Sequence, residues 1–165
     1  MAVWNRIKSL SFKQLFLLVK TFALKPQYFF PTHQATLQTL QICNRLYGKK
    51  HHKNNITNAF RHALWNILIA FHCYKKNKSI ETSVNWAKKT TDLHEKLAPN
   101  NQIEMLMDLQ NNNIGRIIFT EHNLFEHNKE AIISILKEKM KTAVLITTIS
   151  EIENFKNEFV YLEEL

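Results

Sequence analysis

The sequence predicts an all-α domain, a single-domain bundle of about six or seven helices, and three observations carry that prediction. Only two glycines, Gly48 and Gly115, and three prolines occur in 165 residues. That is too few for the tight turns of a sandwich or barrel, and for the glycine-rich loops that cradle nucleotide phosphates. Hydrophobic residues make up 45% of the chain, enough for a core and too many for general disorder. Apolar positions then recur at helical intervals between capping residues. The length suits one domain, residues 1–165.

The first helix is expected over about residues 3–24, with a break near Ser9–Ser11 and a stop at Lys25-Pro26. Phe12, Phe16, Val19 and Phe22 follow helical spacing, but Leu17, Leu18 and Leu24 spread apolarity around the wheel. An all-round apolar helix predicts burial in the core rather than attachment to a membrane surface. Lys20 interrupts the run and no A-x-A pattern follows, so neither a signal peptide nor a spanning helix is expected.

Thr32 is positioned to cap a second helix ending at Gly48, and Asn55 or Thr57 a third reaching about Tyr74. A fourth is expected from Ile80 to Leu97 before Pro99. Asn100 can cap a fifth, running to about Asn113 or beyond, with Gly115 marking a stop or a close approach. A sixth follows Asn128, over Lys129 to Lys141. Val144–Thr148 has strand character but no partner in this reading. Ser150 with Glu153 matches a capping box for a last helix to about Tyr161.

Charge is unevenly distributed. Residues 1–80 carry thirteen Lys/Arg and no acid before Glu81, whereas residues 101–165 carry six basic and eleven acidic side chains. A basic half suits an anionic partner, either a membrane surface or nucleic acid, or it is a solvated face neutralised by the acidic C-terminal part. No zinc-finger, RNA-binding or basic-zipper pattern specifies a nucleic-acid mode. Cys43 and Cys73 are isolated, which predicts reduced thiols in a cytoplasmic protein, peripheral at the membrane if the basic half meets one. The His51-His52 pair in the basic loop is expected to be solvated, and Trp65 and Trp86 to pack between the third and fourth helices.

The centre of the chain carries the candidate chemistry. At about 100° per residue, Asn58, Arg61, His62, Trp65, Ile69 and His72 share a stripe of the third helix. Thr91 and His94 share a face of the fourth, flanked by Asp92 and Glu95, and Asp108, Asn111, Asn112 and Gly115 line the fifth. Such groups on inward faces need partners, since a buried unpaired polar group costs about 1–3 kcal/mol. His62, His94, Glu95 and Asp108 are the candidates for catalysis, or for holding a divalent metal. Asn58, Arg61, Trp65, Asn111, Asn112 and Arg116 are the candidates for binding around them. The alternative is a buried structural network in which Arg61 pairs with Asp108 or Glu95 and the histidines stay neutral.

These residues fall in three ordered blocks: Asn58, Arg61-His62-Ala63 and Trp65; Asp92 and His94-Glu95; Met107-Asp108, Asn111-Asn112 and Gly115-Arg116. The blocks resemble a bacterial domain family of unknown function with the pattern N-x-x-R-H-A-x-W, D-x-H-E and M-D-x-x-N-N-x-x-G-R, over about residues 54–119. That family occurs as short stand-alone proteins and as C-terminal domains of toxin-like secreted proteins, which implies a hydrolytic activity for some members. Gln110 departs from the pattern, where the family is associated with His. Two functions are therefore expected to compete. One is a hydrolase, metal-assisted or acid–base. The other is a non-catalytic basic module that binds an anionic partner.

Overall fold

The computed structural model describes residues 11–98 and 100–165. The expected beginning of the first helix, with Trp4, Arg6 and Lys8, lies outside the described residues. Among the described residues seven α-helices follow in order: α1 Phe12–Ala23, α2 Phe29–Tyr47, α3 Ile56–Asn77, α4 Ile80–Leu97, α5 Gln102–Glu121, α6 Lys129–Met140 and α7 Ile149–Asn154. Two short strands, β1 Val144–Leu145 and β2 Val160–Tyr161, pair in parallel. The fold is all-α, as composition predicts.

Side-chain caps set most boundaries. Asn55 accepts from the Thr57 amide at the start of α3, Ser79 from Thr82 at α4, and Asn128 from Ala131 at α6. Asn101, rather than Asn100, opens α5 in a reciprocal box with Glu104. α2 begins earlier than Thr32, directly after a 3₁₀ turn at Pro26–Tyr28. Pro31 is tolerated in its first turn because no intrahelical donor is needed there. Thr32 instead donates to the Tyr28 carbonyl and accepts from the Trp86 indole.

α3 is the axis of the bundle and packs on α2, α4, α5 and α6. Phe60, Leu64, Ile67, Leu68 and Ile69 are sealed within it, and each such side chain contributes about 1.5–3 kcal/mol through burial. Gly115 does not end α5. It lets that helix lie against α3, where an added Cβ would stand 2.5 Å from the Ala63 carbonyl oxygen.

Four further expectations are corrected. α1 is not a core helix: of its described side chains only Thr21 is buried, while Phe12 and Phe16 are 90% and 64% exposed. Its Thr21 side turns inward and Phe22 packs on Trp86 of α4, while Phe12, Phe16 and Val19 stay exposed. Val144–Leu145 does have a strand partner, at Val160–Tyr161, in the segment expected to be helical. Thr148 with Glu151, not Ser150 with Glu153, opens α7, which stops at Asn154. His51 is buried and hydrogen-bonded through Nε2 to Asn44 Oδ1, at 2.9 Å, while His52 is exposed. Burial first, then the charges of His52 and Arg61, push the His51 pKa down to about 4. Cys43 and Cys73 are both free and buried, and burial pushes both thiols up to about 12.

Candidate functional site

Helical spacing on α3 explains how the site is assembled. Asn58, His62 and Asn66 follow one another at i, i+4, i+8, which places them on one face. His62 and Asn66 of that row meet α4 and α5, whereas His72 turns toward α2 and Trp65 touches both α2 and α4. The Trp65 indole donates to Thr36 Oγ1 at 2.9 Å, and His72 Nε2 pairs with Gln38 Oε1 at 3.0 Å. The expected single stripe therefore serves two neighbours. Trp86 is buried in the core on α4, its ring against Tyr28 and Phe22.

His62 is the centre, 2% exposed. Its Nδ1 lies 3.4 Å from Glu95 Oε1 on α4 and 3.2 Å from Asn112 Oδ1 on α5. Its Nε2 lies 3.2 Å from Asp108 Oδ1, also on α5, and 2.8 Å from Arg61 Nη2. Arginine can only donate, so in this geometry Nε2 accepts from it and Nδ1 is the ring's donor. The histidine thus has a carboxylate at each nitrogen. Both carboxylates are buried, at 2% and 3% exposure.

The two acids are displaced in opposite directions although they face the same ring. Burial is the largest influence on each and raises it. At Glu95 that influence is outweighed by the His62 charge and hydrogen bond, the His94 charge and the Asn112 amide, leaving a pKa of about 2. Asn112 Nδ2 donates to Glu95 Oε1 at 2.9 Å. At Asp108 burial wins, reinforced by Glu95 and Glu104 and opposed by His62 and Arg61, leaving a pKa of about 6. Asp108 Oδ1 makes no hydrogen bond, while Oδ2 accepts from the exposed Asn100 side chain at 3.2 Å. The direction follows from the partners: Glu95 is served by donors, and Asp108 by fewer donors and more negative charge.

A supporting layer holds these groups. Asn66 Nδ2 donates to Asn112 Oδ1 at 2.6 Å and to the His62 carbonyl. Asn66 Oδ1 accepts from Arg116 Nη1 at 2.8 Å and from Thr91 Oγ1 at 3.1 Å. The Asn58 amide is tied to the Lys53 carbonyl, and its Oδ1 accepts from Arg61 at 3.4 Å. Asn111 points away, to the Val160 backbone.

Of the sequence candidates, His62, Glu95, Asp108, Arg61 and Asn112 converge. One ligand atom from each of His62, Glu95 and Asp108 lies within 4.8 Å of the others, so these three could hold a divalent cation. His94 stands beside the group, its ring edge-on to Trp65 at 5.0 Å. Gln110, the departure from the resembled pattern, reaches the Phe155, Lys156 and Glu158 carbonyls of the C-terminal segment. Asn66 and Asn100 were not anticipated. The i, i+4 relation of Asn66 to His62 was the available signal, whereas nothing local marks Asn100.

No helix of the described residues is long and apolar enough to cross a membrane. No curated protein matches the chain. Residues 19–144, well over half of the sequence and including every residue of the His62 centre, match the model of a domain of unknown function, DUF6973, and the chain belongs to that family.

Proposed function

We propose that the His62 centre is a general acid–base site of hydrolytic type. The observation that carries this reading is one imidazole between two buried carboxylates whose pKa values are pushed apart, one ionised and one able to hold a proton near neutrality. Such a split is how neighbouring carboxylates divide acid and base roles. Glu95, ionised, orients the ring through Nδ1. Once Arg61 leaves Nε2 for the negative charge developing on the substrate, Nε2 takes a proton from an attacking water and Asp108 gives one to the leaving group. Asn112 and Asn66 are positioning residues. Asp108 Oδ2 is hydrogen-bonded to Asn100, which is exposed. The hydrolytic class agrees with the activity implied by the toxin-like settings of the resembled bacterial family.

The purified chain is to be assayed against chromogenic esters, phosphodiesters, amides and glycosides. Turnover is expected that His62→Ala and Asp108→Asn each lower by about 100-fold or more, with folding retained by circular dichroism. Absence of turnover across the panel, or turnover that survives His62→Ala, refutes the assignment and leaves a structural network.

The proximity of the three ligand atoms supports a metal-assisted version of the same hydrolysis. Arg61, a cation already 2.8 Å from Nε2, competes with it. About one equivalent of zinc or manganese by elemental analysis, lost in Asp108→Asn, would select the metal version.

A further inference from the structure

We propose that the exposed apolar face formed by α1 and the beginning of α2 seats on the surface of an anionic lipid bilayer. Phe12, Phe16 and Val19 recur at i, i+4, i+7 and are 90%, 64% and 58% exposed. Thr21, on the opposite side of the same helix, is buried. The apolar side of this helix therefore faces outward, the reverse of the usual arrangement for a helix packed on a core. The face continues into α2 through ring contacts. Phe22 meets Phe29 edge-on at 5.5 Å, and Phe29 meets Phe30 at 5.5 Å, with Phe30 itself 77% exposed.

Charge selects the occupant. Lys13 and Lys20 sit on α1 beside the aromatic row, and Lys75 and Lys76 share a surface cleft with Phe30. The lysine–carboxylate pairs among the described residues are Lys88–Asp92, Lys139–Glu158, Lys141–Glu138 and Lys156–Glu153, all beyond residue 80. The acidic C-terminal part therefore makes no such pair with these lysines. A second copy of the chain seated face to face would bring like charges together here, because residues 1–80 carry no acid. Exposed phenyl rings beside lysines match an interface with apolar acyl chains under anionic headgroups. Twelve helical residues extend about 18 Å, against a hydrocarbon core of about 30 Å, so α1 lies along the interface.

Full-length protein is to be sedimented with vesicles of phosphatidylcholine alone, and of three parts phosphatidylcholine to one part phosphatidylserine. It is expected to pellet with the mixed vesicles, stay in solution with the neutral ones, and lose binding as salt rises. Phe16→Ser with Phe30→Ser is expected to weaken partitioning about tenfold or more, as is Lys13→Glu with Lys20→Glu, both at wild-type melting temperature. A nitroxide on Phe16→Cys, shielded from aqueous relaxants on vesicles, gives the same answer independently of folding losses elsewhere. Failure to pellet with mixed vesicles overturns the proposal. So does pelleting that ignores the phenylalanine changes, or a dimer in solution that Phe16→Ser abolishes.

Discussion

At the scale of single residues, two carboxylates on one histidine behave oppositely with pH. The Asp108 carboxyl is held at about 6 in the fold against an ordinary 3.8, so the folded state binds its proton more tightly than the unfolded chain does. Stability contributed by that proton is present below about 3.8, is lost as pH rises toward about 6, and stays lost above it. Asp108→Asn, permanently neutral, is therefore expected to be more stable than wild type at pH 7–8 by about 1–3 kcal/mol, with the gain vanishing near pH 4. Glu95 has the reverse sign. Its carboxyl is held near 2, so its contribution is present above about 4.5 and lost as pH falls toward 2. Glu95→Gln is expected to destabilise at pH 7 and to matter little at pH 2–3. Urea unfolding at four pH values checks both. A destabilising Asp108→Asn at pH 7 would mark Asp108 as a simple structural ion-pair partner. A catalytic acid held against stability predicts the opposite. His62 and Asp108 are legible in the sequence because each lies on an inward stripe, and Glu95 because it flanks one. Asn66 sits one position beyond Trp65, off the stripe that Trp65 and Ile69 define, so that stripe does not mark it.

At the scale of elements, local signals fixed what local forces decide. Caps at Asn55, Ser79 and Asn128 set helix starts that periodicity had already suggested. Where partners lie far along the chain, the sequence was silent. The pairing of Val144 with Val160 depends on tertiary placement, and two-residue strands leave no alternating pattern to read. α1 departs from expectation for a related reason: apolar residues around a wheel predict burial only where a neighbour covers them, and Phe22 is covered while Phe12, Phe16 and Val19 are exposed. Gly115 is the element contact most open to test. A methyl there would meet Ala63 backbone atoms at 2.5, 2.7 and 2.9 Å, and backbone cannot swing aside as a side chain can. Gly115→Ala should force α3 and α5 apart and cost about 1–3 kcal/mol or more, despite the better helix propensity of alanine. Thermal unfolding measures it, and a stabilised variant would show that the two helices yield freely. Because His62 rides on α3 and Asp108 on α5, the same change should lower any His62-dependent turnover.

At the scale of the whole molecule, the C-terminal segment holds the site-bearing helices from outside. Asn111 Nδ2 donates to the Val160 carbonyl at 2.8 Å, and the Val160 amide donates to Asn111 Oδ1 at 3.0 Å. One buried side chain thereby completes a strand that, among the described residues, has only β1 beside it. The Leu162 amide donates to the Asn54 carbonyl at 2.8 Å, and the Asn54 side chain donates to Glu104 Oε1 at 2.8 Å. Tail, α3 start and α5 start are thus joined at one end of the bundle. Met107, Ile146, Ile152 and Val160 form a small apolar cluster beneath. Removing the Asn111 amide should leave the Val160 donor and acceptor buried and unpaired. Asn111→Ala is accordingly expected to cost about 2–4 kcal/mol. The loss should be local first. Amide exchange at Val160 and Ile146 is expected to quicken by two or more orders of magnitude, while Leu64 and Ile67 in α3 keep their protection until global unfolding. Exchange at Val160 unchanged from wild type would mean that β1 alone anchors the tail, and that Asn111 serves some other purpose.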